Sequence, residues 1–150
     1  MALYYLETSA LVKLYVFEPG TERLVSLAAS SAGNRFAILA LAQVEFRSAI
    51  RRQERGGEIS RSEADALIES FRQHSEGRFV VQPFTDSLLD VALALIDGYP
   101  LRGFDAMQLA GYLMLRSISG AEEPVFVCAD KALLSAARNE GCPVLDPNLP

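Results

Sequence analysis

Short apolar runs alternate with segments of helical period along this chain. The runs are residues 3–6, 36–40, 79–82 and 125–128, with Val144-Leu145 a shorter fifth. Hairpin signals such as Asn-Gly are absent. Strands that are not joined by tight turns need crossover connections, and helical crossovers produce a parallel sheet covered on both faces. The expected architecture is therefore α/β: three α/β/α layers around a central parallel sheet of four to five strands, with right-handed crossovers.

The spacing predicts helices over about 9–17, 20–31, 42–54, 61–76, 86–97, 104–117 and 131–140. Some boundaries are written in the residues. Ser60-Arg61-Ser62-Glu63 reads as a capping box. Behind it Ala64, Leu67, Ile68 and Phe71 fall at i, i+3, i+4 and i+7. Gly56-Gly57 ends the preceding helix, and Thr85 or Asp86 caps the one that turns Leu88, Leu89, Ala92, Leu93 and Ile96 inward.

With 150 residues and neither a linker nor an internal repeat, the chain is expected to form a single domain over 1–150. No apolar run nears the roughly 18 residues of a membrane span, and the N-terminus lacks the marks of a signal peptide. Cys128 and Cys142 lack CxxC spacing. Reduced thiols and a cytoplasmic location are the expectation. The net charge of −5 argues against broad electrostatic binding of nucleic acid. It leaves room for a nuclease, because carboxylates gathered around a metal contribute to such a balance.

Four acids stand in apolar company or directly after strands. Glu7 follows the first run, with Thr8 or Ser9 placed to cap the next helix. Asp130 follows the fourth run and would also serve as a plain N-cap. Glu45 is the charge on a helical face made by Leu41, Ser48 and Ala49, where a carboxylate must be paired, protonated or metal-bound. Asp105 stands near a helix start, where the helix dipole favours it. In an open parallel sheet all four reach the carboxyl-end rim, where ligands bind. Clustered carboxylates repel and take up protons unless a cation is present. Oxygen donors of this kind suit Mg²⁺ or Mn²⁺.

These residues carry a resemblance. Tyr5-Leu6-Glu7-Thr8-Ser9-Ala10-Leu11-Val12-Lys13, Ala42-Gln43-Val44-Glu45, Phe104-Asp105-Ala106-Met107-Gln108-Leu109-Ala110 and Val127-Cys128-Ala129-Asp130-Lys131-Ala132-Leu133 resemble, in order, the motifs of PIN domains, and most of all VapC-type toxin ribonucleases. The resemblance implies a Mg²⁺- or Mn²⁺-dependent endoribonuclease, the toxin of a type II toxin–antitoxin pair. It further implies a homodimer inhibited by a small antitoxin protein. Glu7, Glu45, Asp105 and Asp130 would be both catalytic and metal-binding, with Ser9 beside them. Two departures stand out: Glu7 where the family usually has Asp, and Cys128 where Thr is common. They leave open a second reading, a catalytically weakened PIN-like module acting through protein partners.

Other residues are less specific. Arg47, Arg51 and Arg55 form a stripe at i, i+4 and i+8 that is either a solvated face or a contact for RNA or antitoxin. Lys13 lies one turn beyond Ser9 and could steer phosphate, and Arg102 could pair with the acidic site. Tyr4, Tyr5, Phe46, Phe71, Phe104 and Met107 read as core or dimer contacts. His74, the single histidine, reads as a surface residue, and there is neither a P-loop nor a GxGxxG.

Overall fold

In a computed structural model the chain forms one five-stranded sheet of order β3-β2-β1-β4-β5, every neighbouring pair parallel. The structure describes residues 1–150, apart from the side chain of Ser30. The strands are β1 (Leu3–Leu6), β2 (Arg35–Leu39), β3 (Phe79–Gln82), β4 (Val125–Val127) and β5 (Val144–Leu145). Helices α1 (Thr8–Leu11), α2 (Thr21–Ala28), α3 (Ala42–Arg55) and α4 (Arg61–Gly77) precede β3. Helices α5 (Asp86–Gly98), α6 (Gly103–Ile118) and α7 (Lys131–Asn139) follow it.

Side chains along a strand alternate between faces, and the two faces of this sheet collect different helices. Leu3, Tyr5, Ala37, Leu39 and Phe126 pack with α5, α6 and α7. Leu6, Phe36, Ile38 and Val127 pack with α1 to α4, where the tilted rings of Phe46 and Phe71 have centroids 4.2 Å apart. The result is the three-layer arrangement expected from the alternation of runs. The chain builds outward from β1 to β2 and β3, then returns to place β4 on the other side of β1. The carboxyl ends of β1 and β4 therefore flank a topological switch point, the usual place for a ligand crevice in such sheets.

Several expectations are corrected. The first helix is shorter: α1 stops at Leu11 and tightens into a 3-10 turn over Val12–Leu14, before the Glu18-Pro19-Gly20 turn. The second ends at Ala28 rather than 31. On α5 the inward residues are Leu88, Ala92 and Leu95, whereas Leu89, Leu93 and Ile96 are exposed. That helix is apolar on most of its circumference, so its pattern does not reveal which side meets the sheet. His74 is half-buried, its Nδ1 2.6 Å from the Tyr15 hydroxyl and its ring against Phe79. The Ser60 capping box forms in full, with Glu63 N–H donating to Ser60 Oγ at 3.0 Å. Both cysteines are free and buried. No helix among the described residues is long and apolar enough to cross a membrane.

Candidate active site

Glu7, Glu45, Asp105 and Asp130 line one open cleft of about 740 Å³ at the carboxyl end of the sheet, with Thr8, Ser9 and Arg52. Each arrives from a different element. Glu7 continues β1, its N–H still donating to Val127 of β4 at 3.0 Å. Glu45 stands in the first turns of α3, Asp105 in the first turn of α6, and Asp130 at the start of α7.

Glu7 itself caps α1, in place of the expected Thr8 or Ser9. Its carboxylate accepts the Ser9 N–H at 2.9 Å and also the Ser9 hydroxyl. That hydroxyl accepts the Ala129 N–H at 3.0 Å, so Ser9 joins the end of β1 to the segment after β4. Cys128 Sγ lies 3.9 Å from Ser9 Oγ. Burial pushes the Glu7 carboxyl up to about 6, with the charge of Glu45 adding to it and the hydrogen bonds from Ser9 and Cys128 opposing it. Burial, and then the charge of Glu7, raises the Cys128 thiol.

Glu45 is corrected in two respects. The face of α3 that meets the sheet is Ala42, Phe46 and Ile50, so Glu45 borders the core and looks into the cleft. Its partners are neutral: Thr8 Oγ1 donates to Glu45 Oε1 at 2.9 Å and Gln108 Nε2 at 2.7 Å. Burial raises its carboxyl, those two donors lower it, and the charge of Asp105 raises it. Asp105 faces Arg102 at 3.6 Å, as the sequence suggested, although Arg102 is almost fully exposed. Asp130 is both N-cap, accepting the Leu133 N–H at 2.9 Å, and part of the cleft lining.

Gln108 was not singled out by the sequence. It is 1% exposed and donates to Glu45 and to Thr8, while its own oxygen accepts the Tyr5 hydroxyl at 3.1 Å. The signal was present as one amide in the apolar run Ala106-Met107-Gln108-Leu109-Ala110, since a buried amide must be bonded. Phe104, largely exposed, lines the cleft, and Met107 lines it while also packing against the core. The arginine stripe divides: Arg51 is tied to Glu54 at 2.7 Å and Asp65 at 2.8 Å, a strut between α3 and α4.

The donors fit a hard divalent cation in kind, being anionic oxygens on separate rigid elements. As placed, no three acidic, histidine or cysteine side chains among the described residues converge on one point. Glu7 is turned toward Ser9, and Glu45 toward Thr8 and Gln108.

A parallel α/β/α sheet whose switch point opens onto four carboxylates is the framework of an acid-cleft domain. The chain belongs to the PIN domain family, whose sequence profile matches residues 4–111. Asp130 lies beyond the matched span. Comparison with curated proteins finds no match. Among solved structures the fold is similar to a toxin–antitoxin complex from Klebsiella pneumoniae (TM-score 0.64, 13% identity, 96% of this chain and 97% of that one). It is similar to FitAcB from Neisseria gonorrhoeae (TM-score 0.65, 14% identity, 98% of each chain). It is also similar to VapBC2 from Rickettsia felis bound to a DNA fragment from their promoter (TM-score 0.63, 13% identity, 95% of this chain and 97% of that one). At these identities the likeness is one of fold.

Proposed function

We propose that this protein is a Mg²⁺- or Mn²⁺-dependent endoribonuclease, the toxin of a toxin–antitoxin pair, acting in the cytoplasm as one domain over 1–150. The observation that carries the reading is the meeting of Glu7, Glu45, Asp105 and Asp130 in one cleft. Membership of the PIN family supports it. The toxin–antitoxin complexes that share the fold support a small antitoxin as partner.

Glu7, Glu45, Asp105 and Asp130 would hold the ion, directly or through water. When bound, a divalent cation lowers the pKa of a water and neutralises charge on a phosphate. Ser9 holds the Glu7 carboxylate in place, and Thr8 with Gln108 does the same for Glu45. Arg52 and Arg102, at the edge of the cleft, supply the positive charge that an RNA backbone needs in an acidic protein. The exposed stripe of Leu89, Leu93 and Ile96 on α5 supports a homodimer.

One observation favours the weakened module: the Glu7 carboxylate, in place of the family's usual Asp, is engaged by Ser9 as the cap of α1. Cleavage of a mixed RNA by the native protein, Glu7→Gln and Glu7→Asp in Mn²⁺ separates the readings. Glu7→Gln should lose most activity, and full activity in that folded variant would remove Glu7 from the site. An inactive native protein with an active Glu7→Asp would establish the weakened module. Millimolar Mn²⁺ should also raise the melting temperature, because a ligand of the native state stabilises it by about 2.7 kcal/mol at a hundred times Kd. Asp105→Asn should blunt that rise.

A further inference from the structure

Beside the acidic cleft lies a second recess of about 310 Å³, formed between α1 and α3. The two share Thr8, Ser9, Ala49 and Arg52, so they are contiguous. The recess is lined on its far side by Lys13, which is only 6% exposed. Its stem is covered, while its ammonium keeps access to the recess. The ion partner of Lys13 is Glu18, at 3.7 Å, beyond hydrogen-bonding distance. Glu18 sits on the turn before Pro19 and is 34% exposed, so an anion entering the recess competes for Lys13 with one partly exposed carboxylate. Arg52, standing between the two cavities, makes no ion pair among the described residues.

We propose that the Lys13–Arg52 recess is a subsite for the phosphate next to the scissile one, so that the protein engages single-stranded RNA through at least two consecutive phosphates. The proposal rests on the nuclease reading above and extends it from the reaction to the course of the strand. Ser9 and Lys13 are four residues apart on a helical stretch, about 6 Å along its axis. That separation suits one nucleotide step leaving the cleft. Phosphate is the favoured guest because the recess opens directly from the cleft in which the neighbouring bond would be cut. Glu58 also lines the recess, which disfavours a densely anionic peptide more than a single phosphodiester.

The test compares mixed-sequence dinucleotides, with one phosphodiester, and trinucleotides, with two, as substrates in Mn²⁺. The native protein should favour trinucleotides by about tenfold in kcat/KM, carried by KM, as expected where a phosphate contact adds uniform binding. In Lys13→Met, which keeps the buried stem, and in Arg52→Gln, on the exposed side, that ratio should fall toward one. A ratio unchanged in both folded variants would overturn the subsite. Binding of a labelled 2′-O-methyl RNA hexamer is read in parallel by anisotropy against salt. Loss of one phosphate contact should flatten the log–log slope by about 0.7, and an unchanged slope would overturn the proposal. If no oligonucleotide is cut, the nuclease reading falls and the hexamer slope alone decides the subsite. Hexaglutamate is the control: a variant that loses hexaglutamate but keeps the native hexamer slope would overturn the RNA subsite in favour of an acidic peptide.

Discussion

Gln108 Nε2 donates to Glu45 Oε1 across 2.7 Å, joining a helix on one face of the sheet to a helix on the other. The same amide binds Thr8 and accepts from Tyr5, so a buried polar chain runs from the middle of β1 to the cleft. Gln108→Leu removes the hub: the Tyr5 hydroxyl loses its partner, and Thr8 and Glu45 keep only each other. The expected loss is about 1–3 kcal/mol, read from urea unfolding. RNA cleavage should fall more than stability alone explains, and cleavage at the native rate would show that Glu45 does not depend on this support.

Gly111 lies one turn beyond Gln108 on α6, and a Cβ there would collide with the Tyr5 hydroxyl and press on Leu39. A glycine inside a helix usually costs about 1 kcal/mol against alanine. Here the close approach reverses the sign. Gly111→Ala should destabilise by about 1–3 kcal/mol and should disturb the Tyr5–Gln108 bond as well. Thermal melting checks the first effect. A raised melting temperature would show that Tyr5 yields freely.

These two positions also mark the limit of what the sequence disclosed. The strands at 3–6, 79–82 and 144–145 were readable because short apolar runs stand between turn residues. The Ser60 capping box was readable because its residues act on each other locally. Glu7, Glu45, Asp105 and Asp130, which line one cleft, could be singled out because charges are conspicuous in apolar surroundings. Gln108 was passed over because a neutral amide in an apolar helix looks ordinary until its partners are known, and those come from residues 5, 8 and 45. Glu7 as a helix cap was missed because Asp, Asn, Ser and Thr are the preferred caps. The direction of α5 was misread because Leu89, Leu93 and Ile96 are as apolar as the residues that face the sheet.

The raised Glu7 carboxyl gives a pH dependence with a definite sign. Between its ordinary value of 4.5 and about 6, the folded protein holds a proton that the unfolded chain has released. Stability attached to this group is therefore complete below 4.5 and is lost as pH rises through 6. The shift corresponds to about 2 kcal/mol. Urea unfolding from pH 4 to 7.5 should show that component in the native protein and lack it in Glu7→Gln, which should be the more stable of the two at neutral pH. Matching pH curves for the two proteins would contradict it. Cleavage should run the opposite way, increasing as Glu7 ionises.

The outward stripe of α5 gives a prediction about assembly. Leu93 is 55% exposed between Leu89 and Ile96, each 42% exposed. Covering such a stripe should favour association. The native protein should scatter light as a dimer at micromolar concentration, and Leu93→Glu should scatter as a monomer with unchanged circular dichroism. A native monomer at high micromolar concentration would remove this role from α5.

The placement of β4 between β1 and β5 bears on when the protein becomes able to act during its own synthesis. Three of the four cleft acids precede residue 106, yet the central strand β1 has one edge open until Val125–Val127 pairs with it. Ser9 also lacks the Ala129 amide until that segment has left the ribosome. A growing chain therefore carries most of the cleft's acids long before it carries the frame that orders them. The cleft is accordingly not finished until nearly the whole chain has been made.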